Sequence, residues 1–111
     1  MTTILFPRDI RLQHLRIENI LRVEAHSNYS KFYFSNQEPP LVVSKVLQWV
    51  QDRLPPELFA RVHRSHLVNK RHLMAIDISN KSLVLSNGDR VAMSRRRATF
   101  ELKSHLCSLH N

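Results

Sequence analysis

The chain has 111 residues, 42% hydrophobic and 23% charged, which bounds it to a single domain, residues 1–111, with one modest hydrophobic core. Its 17 Lys and Arg against 9 Asp and Glu give a formal net charge of +8, which favours an anionic partner such as nucleic acid or an acidic membrane surface. The single Cys107 excludes an intramolecular disulfide, and no apolar run nears the roughly 20 residues of a spanning helix, so we expect a cytoplasmic protein without a membrane segment.

The first half of the chain is predicted to form mostly β-strands. Partial alternation over residues 10–17 predicts an early strand. IENILRVEA (17–25) and KFYFS (31–35) are rich in β-branched and aromatic residues, and the polar HSNYS between them predicts a turn joining paired strands. LVV (41–43) predicts a further short strand. Ser44 is the expected N-cap of a helix that ends before Pro55, with Val46, Leu47, Val50 and Leu54 at helical spacing.

The second half continues this pattern. FARV (59–62), HLMAIDI (72–78) and KSLVLS (81–86) predict short strands, and Asn87–Gly88 predicts a hairpin that pairs KSLVLS with DRVAM. Ser94 is the expected cap of a final helix, with Ala98, Leu102, Leu106 and Leu109 along one face. The fold class expected is mostly β, with short antiparallel strands and one or two small helices.

The cations are concentrated in three groups, and each follows a strand or lies in a loop. They are the groups around His26–Lys31, around Arg61–Arg71 and at Arg95–Arg97. A structural or catalytic metal at His63 and His66 is disfavoured, because no CxxC pair is present and Arg64 would repel a dication. A single glycine excludes GxGxxG and GxxxxGK phosphate loops, and no nucleophile–base arrangement is recognisable, so neither an enzyme nor a cofactor is expected.

Three hypotheses about the partner of these basic loops remain open. Lys and Arg neutralise the phosphates of a duplex, and Arg also donates two hydrogen bonds to guanine. Tyr29 and Phe32 could instead stack on unpaired bases, which keeps single-stranded DNA or RNA as an alternative. The third hypothesis is a basic interaction domain that binds an acidic protein or membrane.

Three sequence strings resemble the LytTR family of bacterial DNA-binding domains. They are ILRVEAHSNYSKFY, LPPELFARVHRSHLVNKRHLMAI and LVLSNGDRVAMSRRR, which together place the resemblance over residues 10–109. The resemblance implies an elongated core of short antiparallel sheets whose loops, and not a recognition helix, enter successive major grooves. It also implies a sequence-specific transcriptional regulator of the two-component response-regulator type.

Carried over by position, the resemblance implies base contacts by Ser30 or Lys31, by Arg64 and by Arg96. Other motif positions and neighbouring cations are expected to contact phosphates or to support the loops: Asn28, Tyr29, Arg61, His63, Ser65, Asn69, Lys70, Arg95 and Arg97. His63 and Asn69 are expected to act as internal hydrogen-bond partners or to face the DNA.

The expected partner is double-stranded DNA, with repeated half-sites and a homodimer on DNA as the arrangements to test. Family members commonly carry a receiver domain or a membrane segment ahead of this domain, and neither is seen in this sequence. We therefore expect a stand-alone regulator or a piece of a longer one, with any receiver or sensor acting as a separate partner.

Overall fold

The computed structural model describes residues 3–4, 15–94 and 102. Strands β1 (Thr3–Ile4) and β2 (Leu15–Arg16) pair antiparallel, and a 3-10 turn at Ile17–Asn19 leads into the main sheet. The early strand predicted over residues 10–17 is therefore confirmed only at Leu15–Arg16, because the 3-10 turn follows and residues 10–14 lie outside the described part of the chain.

The main sheet has five antiparallel strands. These are β3 (Ile20–His26), β4 (Tyr29–Phe34), β5 (Leu41–Val43), β6 (Phe59–His63) and β7 (His66–Asn69), in the order β5-β4-β3-β7-β6. A second sheet contains β8 (Leu73–Asp77), β9 (Ser82–Leu85) and β10 (Arg90–Ala92), in the order β10-β9-β8. The expected fold of short antiparallel sheets is confirmed, and the molecule is elongated, measuring 43 × 29 × 22 Å.

Two apolar clusters occupy opposite faces of the main sheet. Val23 and Phe32 point toward α1 (Leu47–Gln51), the one α-helix among the described residues, and pack with its Leu47 and Val50. On the other face, Val62 and Val68 pack with residues of the second sheet, including Leu83, Leu85 and Val91, and Leu102 is buried in the same cluster. The main sheet is therefore the middle layer, and alternation along each strand decides which side chains enter which cluster.

The prediction that Ser44 caps the helix is wrong. Val46 occupies the N-cap position without a side-chain cap, and Ser44 is exposed. The backbone ahead of the helix is engaged elsewhere, since the Lys45 N–H donates to the Val43 carbonyl and the Lys45 carbonyl accepts from the Ser30 hydroxyl. The helix ends before Pro55, as expected, but has only five residues.

The predicted strand pairs around the turns are confirmed, and one strand was missed. β3 pairs with β4, and β9 pairs with β10 through a loop in which Gly88 has a φ of +91°. Strand β7 was not predicted, because its sequence HLVN is short and polar at both ends. The final helix expected after Ser94 lies outside the described residues, apart from the buried Leu102.

Candidate nucleic-acid interface

The β3–β4 turn contains the first group of predicted contact residues. His26 pairs with Tyr29 across the two-residue turn Ser27–Asn28, and both turn residues are exposed. Ser27 adopts a positive φ of 53°, as the first central residue of a tight hairpin turn often does. The rings of His26 and Tyr29 stack with centroids 5.8 Å apart, which leaves Tyr29 41% exposed beside the turn.

The β6–β7 turn presents Arg64 to solvent. His63 pairs with His66 across the two-residue turn Arg64–Ser65, and the rings of the two histidines lie 5.1 Å apart. The Ser65 N–H donates to His63 Nδ1 at 3.1 Å, so the imidazole closes the turn from within. The turn is held through the His63 ring and the Arg64 carbonyl. The exposed Arg64 side chain makes no hydrogen bond or ion pair within the described part of the chain.

Arg61 fixes this turn to the rest of the molecule. Its guanidinium donates to the carbonyls of His63 and Arg64, and to Gln51 Oε1 on α1 at 2.8 Å. Three donors committed to the protein make Arg61 a loop-supporting residue in this structure. Of the two roles expected for it, phosphate contact and loop support, this geometry favours loop support.

The two turns lie side by side at one end of the main sheet, which we call the turn end. Strands β3 and β7 pair antiparallel, with Glu24 opposite His66, so the end of β3 meets the start of β7. Beyond the last ladder pair, the Ala25 N–H donates to the Ser65 carbonyl at 2.9 Å. This bond joins the end of β3 to the β6–β7 turn, and it brings two of the three predicted contact groups to one edge of the molecule.

The third group follows Ser94, the last residue described before Arg95. The Ser94 N–H donates to the Val62 carbonyl at 2.7 Å, one residue before the end of β6. Ser94 is thus held beside the strand that leads into the Arg64 turn. Arg95, Arg96 and Arg97, predicted as a base contact with neighbouring phosphate contacts, lie outside the described residues.

Alternation along β4 places Ser30 and Lys31 on opposite faces of the main sheet. Ser30 faces the helix side of the sheet, is fully buried and donates its hydroxyl to the Lys45 carbonyl at 2.7 Å. A buried hydroxyl that is already bonded to the backbone has no surface with which to reach a base, so this geometry favours Lys31 over Ser30 as the base contact. Lys31 points to the opposite face, opposite Glu24 in the β3–β4 ladder, and is partly exposed.

Two other predicted residues lie away from the turn end. Asn69 is fully buried, donates to the Ile20 carbonyl at 2.9 Å and accepts from the Arg71 N–H, so it supports the start of β3 from inside. Lys70 follows the opposite end of β7, roughly 13 Å from His66 at about 3.3 Å per strand residue. The structure therefore separates Lys70 from both turns.

A network of charged side chains, which was not predicted from the sequence, lies next to the turns. Glu24 accepts from His26 at 2.8 Å and from the Tyr33 hydroxyl at 3.5 Å, and it lies 3.8 Å from His66 Nδ1. Burial lowers the pKa of His66, and the nearby Glu24 carboxylate opposes that shift without cancelling it. The alternation of Arg22, Glu24 and His26 was visible in the sequence, but the strand partners across from them were not.

Within the described ranges, no group of three or more His, Cys, Asp or Glu residues is arranged to hold a metal ion. None of the helices described is long and apolar enough to cross a membrane. The site is thus defined by two solvent-facing turns with cations beside a network of histidines and one carboxylate. This arrangement is that of a β-sheet domain that meets an anionic partner with its loops.

Comparison with known proteins identifies the class of this domain. The family described as the LytTr DNA-binding domain matches residues 11–106. A solved structure of the LytTr DNA-binding domain from a Bacillus cereus protein described as a methyl-accepting/DNA response regulator superposes with a TM-score of 0.71 at 26% identity, covering 92% of this chain and 93% of that one. Comparison with curated proteins gives no match. The chain belongs to the LytTr DNA-binding domain family, and its function is DNA binding in transcription regulation.

Proposed function

We propose that this domain binds double-stranded DNA sequence-specifically, by placing the turns at residues 27–28 and 64–65, with the segment that follows Ser94, in the major groove. The observation that carries this proposal is the Ala25–Ser65 hydrogen bond, which holds the two turns at one edge of a rigid sheet. Loops on a rigid scaffold can present side chains to base edges without the entropy cost of ordering them on binding.

Within this proposal, Arg64 reads bases and Lys31 and Arg96 are the further base contacts. Arg64 is exposed at the tip of its turn, and its guanidinium can donate two hydrogen bonds to guanine in the major groove. Asn28, Tyr29, Ser65, Arg95 and Arg97 are proposed to contact phosphates beside these positions. Arg61, His63 and Asn69 are proposed to support the loops, since each makes internal hydrogen bonds.

The wider assignment follows from the family. We propose a single domain over residues 1–111 that acts as a bacterial transcriptional regulator in the cytoplasm, without catalytic activity. Repeated half-sites with two copies of the chain bound, and control by a receiver domain or sensor, are proposed on the same basis. The support is the family match over residues 11–106 and the likeness to a response-regulator domain.

The test is Arg64→Ala, with duplexes first selected by the wild-type protein from a random pool. Loss of a base-reading arginine should weaken binding to the selected duplex by about 1–3 kcal/mol more than binding to scrambled duplex, which loses only the contribution of one positive charge, and it should relax preference at one position. Arg71→Ala is the matched control, because Arg71 is also exposed but follows the opposite end of β7. Equal losses on selected and scrambled duplexes would remove the base-reading role of Arg64.

One observation keeps single-strand binding as a second candidate. The exposed Tyr29 ring stacked on His26 is a platform on which an unpaired base could stack. That function predicts tighter binding to unpaired strands than to any duplex in the selected pool. A direct competition between the two forms decides between the candidates.

A further inference from the structure

We propose that Glu24 is a positioning residue for DNA recognition, which ties the two DNA-facing turns to each other and to the β9–β10 hairpin of the second sheet. The proposal rests on the proposed function and adds to it the residue that sets how the contact groups are held relative to one another. Glu24 itself needs no contact with DNA in this role.

Each turn has a side chain within reach of the Glu24 carboxylate. His26, which begins the turn at residues 27–28, lies 2.8 Å from Glu24 Oε2, and its ring carries Tyr29 stacked on it. His66, which ends the turn at residues 64–65, has Nδ1 at 3.8 Å from Glu24 Oε1 and its ring against His63. Glu24 Oε2 is thus hydrogen-bonded to the first turn, whereas Oε1 lies close to His66 Nδ1 of the second turn, a buried nitrogen that has no hydrogen-bond partner among the described residues.

Arg22 extends this connection to the second sheet. Its Nε donates to Asp89 Oδ2 at 3.1 Å, in the loop between β9 and β10, and its Nη1 lies 3.7 Å from Glu24 Oε1. The guanidinium also lies over the Tyr33 ring at 3.8 Å, and its side chain is only 14% exposed. Arg22 is therefore shared between two carboxylates of different sheets and is not a free cation for phosphate.

The β9–β10 hairpin matters because β10 leads to the third contact group. After β10 the chain reaches Ser94, which is bonded to Val62. A series of neighbouring side chains therefore connects the β9–β10 hairpin with both turns of the main sheet. It runs from Asp89 through Arg22 to Glu24, and from Glu24 to His26 and His66. The two sheets also contact each other through the apolar cluster that contains Val62 and Val68.

A carboxylate at this place has two opposing effects on DNA binding. Its charge repels phosphates of every duplex alike, so removing it favours non-specific binding. Its hydrogen bonds to His26 and Tyr33, and its charge beside Arg22 and His66, hold residues that flank the two turns, so removing it loosens specific binding. The two effects differ in their dependence on sequence, and this difference separates a positioning role from a charge effect.

The test is Glu24→Gln, measured on the selected duplex and on scrambled duplexes. We expect affinity for the selected duplex to fall about fivefold to tenfold, because members of one network couple by about 1 kcal/mol or more, while affinity for scrambled duplex is unchanged or higher. Glu57→Gln is the matched control, since Glu57 is exposed and precedes β6 at the end of the sheet away from the turns. The control should leave the ratio of the two affinities unchanged.

Selection of duplexes by the Glu24→Gln protein gives the second readout. A positioning residue should relax preference at positions read by both turns, whereas a direct base contact relaxes one position. Relaxation at a single position, or an unchanged preference, would overturn the proposal. A parallel fall in both affinities with a lowered urea midpoint would also overturn it, because that is the result of a purely structural residue.

A pH profile gives a readout that a packing defect would not move. The charged and titratable groups that face His66 are Glu24, His63, Arg22 and His26. A protonated histidine attracts phosphate, so the affinity of the wild type for DNA should rise as pH falls. Because Glu24 raises the pKa of His66 against the effect of burial, Glu24→Gln should move this rise in affinity to lower pH. An unchanged profile would count against the proposal.

Two further controls keep the outcome unambiguous. Should Glu24→Gln fail to fold, Glu24→Asp keeps the charge but withdraws the carboxylate by one methylene, and the same fall in the affinity ratio is expected. A wild-type protein without any duplex preference would overturn the proposed function and this inference together. A selective wild type with an equally selective Glu24→Gln variant would overturn this inference alone.

Discussion

Asn69 is an example of a polar side chain whose role is set by burial. Its amide is fully buried, donates to the carbonyls of Ile17 and Ile20, and accepts from the Arg71 N–H. These bonds satisfy backbone groups where the 3-10 turn enters β3 and where β7 ends. For this motif residue the sequence left internal hydrogen bonding and DNA contact as alternatives, and its bonds to backbone groups that would otherwise be unsatisfied favour the internal role.

Asn69→Ala should accordingly destabilise the fold. Removing the amide leaves buried backbone groups without partners and opens a small cavity, so we expect a loss of about 2–3 kcal/mol in the free energy of unfolding, measured with urea. The exposed Asn36→Ala is the control, and it should change the same quantity by less than about 0.5 kcal/mol. A loss at Asn69 no larger than that of the control would contradict the supporting role.

His66 makes stability depend on pH, also at the scale of one residue. Burial lowers the pKa of His66 from its ordinary value of 6.5, with His63 adding to the shift and Glu24 opposing it. Below pH 6.5 the unfolded chain then binds a proton that the folded protein does not, so stability falls as pH drops through this window until the folded-state pKa is passed.

The check compares urea midpoints at about pH 7.5 and about pH 5.5 for the wild type and for His66→Gln. The fall in midpoint on acidification should be smaller in the variant, because the shifted group has been removed. Equal falls in both proteins would assign the pH dependence to other histidines.

At the scale of elements, the sequence predicted hairpins where turn chemistry was explicit. Asn87–Gly88 between two apolar runs predicted the β9–β10 pair, and HSNYS predicted the β3–β4 pair; both are present. The β6–β7 hairpin turns through Arg64–Ser65, which contains no Gly, Pro, Asn or Asp, and a single serine was too weak a signal to predict the turn, so β7 was missed. The helix cap was misplaced because the helix begins later than expected, with Val46 as its N-cap, and the Lys45 carbonyl ahead of it accepts from the Ser30 hydroxyl, distant in sequence.

Gly88→Ala tests whether the β9–β10 loop needs glycine. Gly88 has a φ of +91°, and an added Cβ would meet nothing within 4 Å, so any cost comes from the backbone conformation alone. We expect a loss of about 1–2 kcal/mol in unfolding free energy for Gly88→Ala. Gly88→Asn should cost less, because Asn tolerates positive φ, and equal costs would indicate another cause.

At the scale of the molecule, the packing of one sheet on the other could not be predicted from the sequence. Arg22 and Asp89 are 67 residues apart, and no periodicity or local motif links them. Alternation did assign Phe32 and Phe34 to one face of β4 and Tyr33 to the other, as the structure confirms. The sequence thus predicted which residues share a strand face, but not which strands of the second sheet lie against them.

The net charge of +8 belongs to the whole molecule, yet the proposed function uses only part of it. In non-specific binding, each cation that neutralises a phosphate adds about 0.9 to the magnitude of the slope of log affinity against log salt concentration. Changing both Lys31 and Arg64 to Gln should therefore lower that magnitude by about 1.8 on scrambled duplex. Changing both Lys70 and Arg71, which follow the opposite end of β7, removes the same charge but should leave the slope unchanged. Equal reductions for the two pairs would mean that DNA contacts the whole basic surface and that the turn end has no special role.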